Sequence, residues 1–200
     1  MRILVVEDDR DLARQVSRAL EQQGYSIDIA HDGEEGLFLG QSEPYDAVVL
    51  DLGLPKIGGV AVLGQWRAAG RDMPVVILTA RSTWGEKVGA FNAGADQYVT
   101  KPFAMEELVA TLRAAIRRAT GHTSPILVAG PLQLDTRSGE VKLAGLAVAL
   151  TSHEFKVLSY LMHQDGAVVS RGELIEHIYD QDFDRDSNTI EVFVRRLRQK

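Results

Sequence analysis

Ile3-Leu4-Val5-Val6-Glu7-Asp8-Asp9, near the start of the chain, sets four aliphatic residues directly against three acids. An aliphatic run without polar alternation fits a strand buried on both faces. The motif recurs along the first half. Ala47 to Leu50 leads into Asp51, Val75 to Leu78 into Thr79, and Gln97 to Val99 into Thr100-Lys101, while Ile27 to Ala30 supplies a fifth run. Helical stretches separate them, the clearest placing Leu12, Val16, Ala19 and Leu20 on one face ahead of a stop at Gly24. Strand and helix alternating five times predict an α/β domain with a doubly wound parallel sheet. Such sheets take ligands at the carboxyl ends of their strands.

The 200 residues suffice for two small cores, and 45% apolar with 25% charged residues excludes wholesale disorder. No run approaches the roughly 20 apolar residues that span a bilayer, and no signal peptide is legible. The absence of cysteine excludes disulfides and thiolate chemistry, which suits the cytoplasm. The net charge of −6 argues against bulk attraction to nucleic acid; residues 1–120 carry 13 basic and 17 acidic groups (net −4), and 121–200 carry 9 and 11 (net −2). A local exception is the last stretch, where Arg195, Arg196, Arg198 and Lys200 face Glu191 alone.

A helix from about Ala104 to Arg118, with Leu108, Leu112, Ala115 and Ile116 inward, closes the first half. The polar stretch Thr120 to Pro125 then divides the chain into 1–119, a linker at 120–125, and 126–200. Strands are expected at Leu132 to Asp135, Val141 to Leu143 and Ala147 to Leu150, then three helices: from a capping box at Thr151-Ser152-His153-Glu154 to His163, over Arg171 to Tyr179, and from Asn188 onward. Strands, a helical pair and a basic final helix suggest a winged helix-turn-helix. On the final helix Ile190, Phe193, Val194 and Leu197 form one stripe, leaving Asn188, Val192, Arg195, Arg196 and Gln199 to face outward. Arginine suits phosphates and guanine edges, asparagine and glutamine suit adenine, and valine can touch a thymine methyl.

In the first domain, Glu7, Asp8 and Asp51 meet at one sheet edge, and three acids in reach of one another call for a cation. Oxygen ligands with open positions favour Mg²⁺. Thr79 and Lys101 reach the same edge, which completes a site for a phosphoryl group: metal and lysine neutralise it, threonine donates a hydrogen bond, and an aspartate can attack phosphorus. Singly, each residue has an ordinary explanation as a helix cap or a solvated charge; their coincidence at the ligand-binding edge carries the reading. A Mg²⁺-dependent phosphatase or phosphotransferase is a rival, although Gly53 stands where haloacid-dehalogenase-like enzymes carry a second aspartate. A flavin or dinucleotide binder is another, but no G-x-G-x-x-G follows the first strand.

Val6-Glu7-Asp8-Asp9, Val48 to Pro55, Leu78-Thr79-Ala80 and Tyr98 to Phe103 resemble the signature segments of response-regulator receiver domains. Leu132 to Phe155 and Val194 to Arg198 resemble the winged-helix effector of the OmpR/PhoB group, and Asp182 to Thr189 is similar to PhoP-type regulators. The resemblance implies a five-stranded flavodoxin-like receiver followed by an α+β winged helix-turn-helix domain. It implies that Asp51 accepts a phosphoryl group from a sensor histidine kinase, with Mg²⁺ on Glu7, Asp8, Asp51 and the Gly53 carbonyl, and with Lys101 on the phosphoryl group. Thr79 and Tyr98 would switch, the bond between Lys101 and Pro102 would be cis, and a homodimer would form with Lys87 and Glu107 in a cross-subunit pair. Gln97 and Thr111 replace an acid and an arginine usual in a second pair, and Gly58 replaces an aspartate found in many receivers. Implied partners are promoter DNA and RNA polymerase, with no membrane contact; the chemistry is phosphotransfer onto the protein itself and not turnover of a substrate. In the family a wing hairpin follows the last helix; the sequence ends at Lys200, so the expected effector lacks that hairpin and binds DNA less tightly than a chain extended past it.

Overall fold

The computed structural model describes residues 1–80, 84–179 and 189–200, with the backbone alone at 84–87 and 189. Elements β1 (Arg2–Val6), α1 (Arg10–Glu21), β2 (Ser26–Ala30), α2 (Gly33–Ser42), β3 (Ala47–Asp51), α3 (Gly59–Ala68), β4 (Val75–Thr79), α4 (Trp84–Asn92), β5 (Gln97–Thr100) and α5 (Met105–Ala119) alternate through the first half. The strands form a parallel sheet in the order β2-β1-β3-β4-β5. Every residue of β1, β3 and β4 is buried, as their unbroken aliphatic runs require, whereas β2 at the edge alternates buried and half-buried positions. The expected sheet is present, with β3, β4 and β5 each one residue longer at the carboxyl end than the sequence suggested. Asp51 and Thr79 are therefore the last residues of their strands rather than the residues after them.

Helix α1 starts where Asp9 Oδ1 accepts the backbone N–H groups of Asp11 (2.9 Å) and Leu12 (3.1 Å). Its buried face is Ala13, Val16, Ser17 and Leu20, so Leu12 and Ala19 are only half-buried. The small side chains of Ala13 and Ser17 sit inward, and the Ser17 hydroxyl is satisfied by Glu21 at 3.0 Å. Gly24 follows at φ +86°, a left-handed turn that favours glycine.

Close approach also fixes the loop after β3. A Cβ on Gly59, the first residue of α3, would lie 2.1 Å from the Asp51 carbonyl oxygen and 2.8 Å from Leu52 Cα, both backbone atoms that cannot rotate away. Gly59→Ala is expected to cost about 1–3 kcal/mol through forced backbone movement, read as a lowered urea midpoint with an unchanged slope.

Charge is buried at the opposite, amino-terminal end of the sheet. Arg2, 1% exposed, donates from Nε to Asp28 (2.7 Å) and from Nη1 to Glu43 (2.8 Å), and its guanidinium lies 5.0 Å from the Tyr45 ring centre. Tyr45 in turn donates its hydroxyl to Asp28 at 2.8 Å.

The second half opens with an antiparallel sheet of β6 (Ile126–Ala129), β7 (Leu132–Asp135), β8 (Glu140–Leu143) and β9 (Leu146–Ala147) in sequence order. Strand β6 had no counterpart in the sequence reading, because Pro125 and Gly130-Pro131 bracket it and only Leu127 of its four residues is buried. The strand expected over Ala147 to Leu150 is corrected to Leu146–Ala147; Val148 makes one further bond to Val141 (2.9 Å), and Val148 and Leu150 turn into the local apolar core. Helices α6 (Ser152–His163), α7 (Arg171–Ile178) and α8 (Thr189–Gln199) follow. The Thr151/Glu154 capping box is present, and Ser170/Glu173 forms a second one.

One apolar cluster runs without a break from Ile3, Val5, Val16 and Leu112 to Val157, Tyr160, Ile178 and Phe193, so the two halves pack against each other. Their contact lies at the amino-terminal end of the sheet. Lys156 Nζ donates to Ser26 Oγ at 2.9 Å, Ser26 Oγ donates to the Ile178 carbonyl, and His177 Nδ1 lies 2.9 Å from Asp46 Oδ2.

Candidate functional site

The register that aligns β1 with β3 carries Glu7 and Asp51 to the same edge, beside the point where the strand order reverses. Oxygens of Glu7, Asp8 and Asp51 all lie within 4.8 Å of one another. Asp8 is exposed, and it is free for this role because Asp9, not Asp8, caps α1. Lys101 arrives from the end of β5, its backbone N–H bonded to the Thr79 carbonyl at 2.8 Å and its bond to Pro102 cis. Its ammonium donates to Glu7 Oε2 and to Asp51 Oδ2, each at 2.6 Å, while Asp51 Oδ1 accepts from the Gly53 N–H at 2.9 Å.

Burial pushes the Glu7 carboxyl up to about 7; the Lys101 hydrogen bond opposes that rise and the neighbouring charge of Asp51 adds to it. Burial disfavours the Lys101 charge as well, but hydrogen bonds to Asp51 and Glu7 outweigh it and hold the ammonium above its ordinary value. The ammonium is thus the counter-charge that keeps two crowded carboxylates tolerable. Three hard oxygen donors, one of them open to water, match what Mg²⁺ takes from a protein. Thr79, 3% exposed, ends β4 opposite Thr100 in β5. Tyr98 is half-buried, and its ring centre lies 6.4 Å from that of Phe91 on α4, a residue 51% exposed.

His31 belongs to this edge and was not singled out from sequence. Its Nδ1 lies 3.1 Å from the Glu7 carbonyl oxygen, on the turn that follows β2, where the Glu7 N–H bonds to the Ala30 carbonyl. The usable signal was topological: β2 and β1 end side by side.

The remaining expected residues are distributed over two other surfaces. Glu107 is exposed in the first turn of α5, and Lys87 falls on α4 with its side chain outside the described residues. On α8, Ile190 and Phe193 are buried, Val194 and Leu197 are half-buried, and Val192, Arg195, Arg196 and Gln199 are exposed, as the helical wheel required. Asn188 lies outside the described residues. Among the described residues no helix is long and apolar enough to cross a membrane.

A 2-1-3-4-5 parallel sheet with an acid cluster and a lysine at its carboxyl edge, joined to a helical domain that presents a basic helix, defines a receiver coupled to a DNA-binding output. Comparison with known proteins agrees. Residues 3–113 match the response regulator receiver domain family, and residues 145–200 match the C-terminal domain family of transcriptional regulatory proteins. The chain is 42% identical over its whole length to the two-component response regulator PhoP of Pseudomonas aeruginosa, covering 89% of that protein. Among solved structures it is similar to DrrB, an OmpR/PhoB homologue from Thermotoga maritima (30% identity, 99% of this chain and 88% of that one, TM-score 0.52). It is also similar to the receiver domain of a Pseudomonas aeruginosa sensor histidine kinase with magnesium coordinated in its active-site cleft (31% identity, 57% of this chain and 96% of that one, TM-score 0.54). The chain belongs to the response-regulator family and is a two-component regulator of OmpR/PhoB type with a DNA-binding effector domain. The rival small-molecule enzyme and flavin-binder readings fall away with that assignment.

Proposed function

We propose that Asp51 is the phosphoacceptor and that its phosphorylation by a sensor histidine kinase controls binding of α8 to promoter DNA. The observation that carries this reading is the Lys101 ammonium held at 2.6 Å from both Glu7 and Asp51, with Asp8 alongside. A carboxylate oxygen of Asp51 attacks phosphorus of the kinase phosphohistidine; the new P–O bond forms as the P–N bond breaks, and the imidazole leaves with a proton. Glu7, Asp8, Asp51 and the Gly53 carbonyl would hold Mg²⁺, which when bound neutralises charge on the phosphoryl oxygens. Lys101 transfers its hydrogen bonds from the carboxylates to the product dianion, and the Thr79 hydroxyl donates to it.

The switch follows from partner exchange. The dianion gains the Thr79 contact only when Thr79 moves toward it, and Tyr98 then occupies the space vacated, repacking against Phe91. The repacked face of α4, β5 and α5 makes a homodimer, with Lys87 and Glu107 in a cross-subunit pair. The receiver is residues 1–119, the linker 120–125 and the effector 126–200. In the effector, Asn188, Val192, Arg195, Arg196 and Gln199 face DNA, and RNA polymerase is the downstream partner in the cytoplasm. The protein turns over no substrate; it promotes phosphoryl transfer to itself.

Incubation with Mg²⁺ and acetyl phosphate is expected to add one phosphoryl group to the intact mass, and Asp51→Asn to add none. Equal gain in both, or no gain in the folded parent, would overturn the assignment.

A further inference from the structure

We infer that the Asp46–His177 hydrogen bond is an interdomain latch that sets the position of the effector independently of the α4/β5 face. Asp46 immediately precedes β3. Its Oδ2 accepts the Arg2 backbone N–H at 2.7 Å as well as the His177 contact at 2.9 Å, and its own N–H donates to the Arg2 carbonyl at 2.9 Å. The carboxylate is therefore aimed by the backbone of β1. From the effector side, the His177 ring is stacked on Tyr160 with ring centres 4.8 Å apart, and the Tyr160 hydroxyl donates to Glu173 at 3.1 Å. The two side chains are 14% and 11% exposed, so loss of the bond leaves a carboxylate facing protein rather than water.

Three neighbouring contacts close the same seam. Lys156 and the Ile178 carbonyl share the Ser26 hydroxyl. The Phe155 ring lies so close to Gly24 that a Cβ there would approach it to 3.1 Å. All of these sit at the amino-terminal end of the sheet. The acid cluster occupies the other end, about 16 Å away along β3 by the rise of a strand. Among the described residues, none from α4 or β5 takes part in these bonds. A receiver dimer built on α4 and β5 thus joins two latched units, and the separation of their α8 helices is a property of the latch. DNA half-sites one turn apart, about 34 Å, are met only if the latched geometry suits them or the latch opens.

The chain has no cysteine, so a pair of introduced ones is unique. Gln22→Cys and Ser138→Cys flank the cleft between the domains, both exposed. Spin labels on them, in the full chain without phosphodonor, are expected to give one narrow distance distribution by double electron–electron resonance. His177→Phe keeps a ring on Tyr160 but removes the bond, and is expected to broaden the distribution about twofold or more while the shared apolar cluster still holds the domains together. Asp46→Ala, altering the receiver side, is expected to do the same, which guards against a folding defect peculiar to one variant. Phe91→Ala with Tyr98→Ala is expected to leave the distribution narrow. A broad distribution in the parent, a narrow one in both latch variants, or broadening by the Phe91/Tyr98 pair would overturn the inference.

Discussion

Arg2→Met is expected to destabilise the receiver by about 3–5 kcal/mol, the cost of removing one partner from a buried ion pair. Arg2 is almost wholly enclosed, and it is the cation that Asp28, 7% exposed, and Glu43 both face. Methionine fills much of the space but removes the buried cation from Asp28, whose carboxylate still accepts the Tyr45 hydroxyl. Equilibrium unfolding in urea measures the loss. The cause is separable from mere packing, because Asp28→Asn in the Arg2→Met background removes the stranded charge and is expected to return part of the stability. A double variant no more stable than Arg2→Met would show that shape, not charge, sets the penalty.

The second large effect is on chemistry. Lys101→Met is expected to slow phosphoryl incorporation from acetyl phosphate about 10²–10³-fold, the range for loss of one preorganised donor to developing anionic charge. Removal of an ammonium that competes for Glu7 and Asp51 is expected at the same time to tighten Mg²⁺ binding, read by titration calorimetry. A purely structural lysine would not produce that pair of opposite changes. Unchanged incorporation in a folded Lys101→Met protein would remove the lysine from the mechanism.

Much of the receiver was legible because its signals are local. Strands buried on both faces must be aliphatic throughout, so β1, β3 and β4 stand out in the sequence. A parallel arrangement then forces the carboxyl ends of the strands together, which groups Glu7, Asp51, Thr79 and Lys101 from the sequence alone. Relations between distant residues were not legible. His31 reaches the Glu7 carbonyl only through the pairing of β2 with β1. Asp46 and His177 are 131 positions apart, and nothing in either local sequence marks the other as its partner. Strand β6 was missed for a different reason: three of its four side chains face outward, so the buried stripe that reveals a strand is reduced to Leu127.

The shared apolar core between the halves bears on how such regulators exchange parts. If receivers and outputs were independent beads on a string, any effector could be spliced after the linker and still obey its new receiver. Here a transplanted effector would have to bring its own answer to Asp46, Ser26 and the bare face of Gly24, or leave the receiver side of the shared apolar cluster without cover. Lineages that shuffle these modules are then expected to inherit the seam residues on both sides together, and a chimera that ignores them should fail through misfitted halves before its phosphorylation chemistry is ever tried.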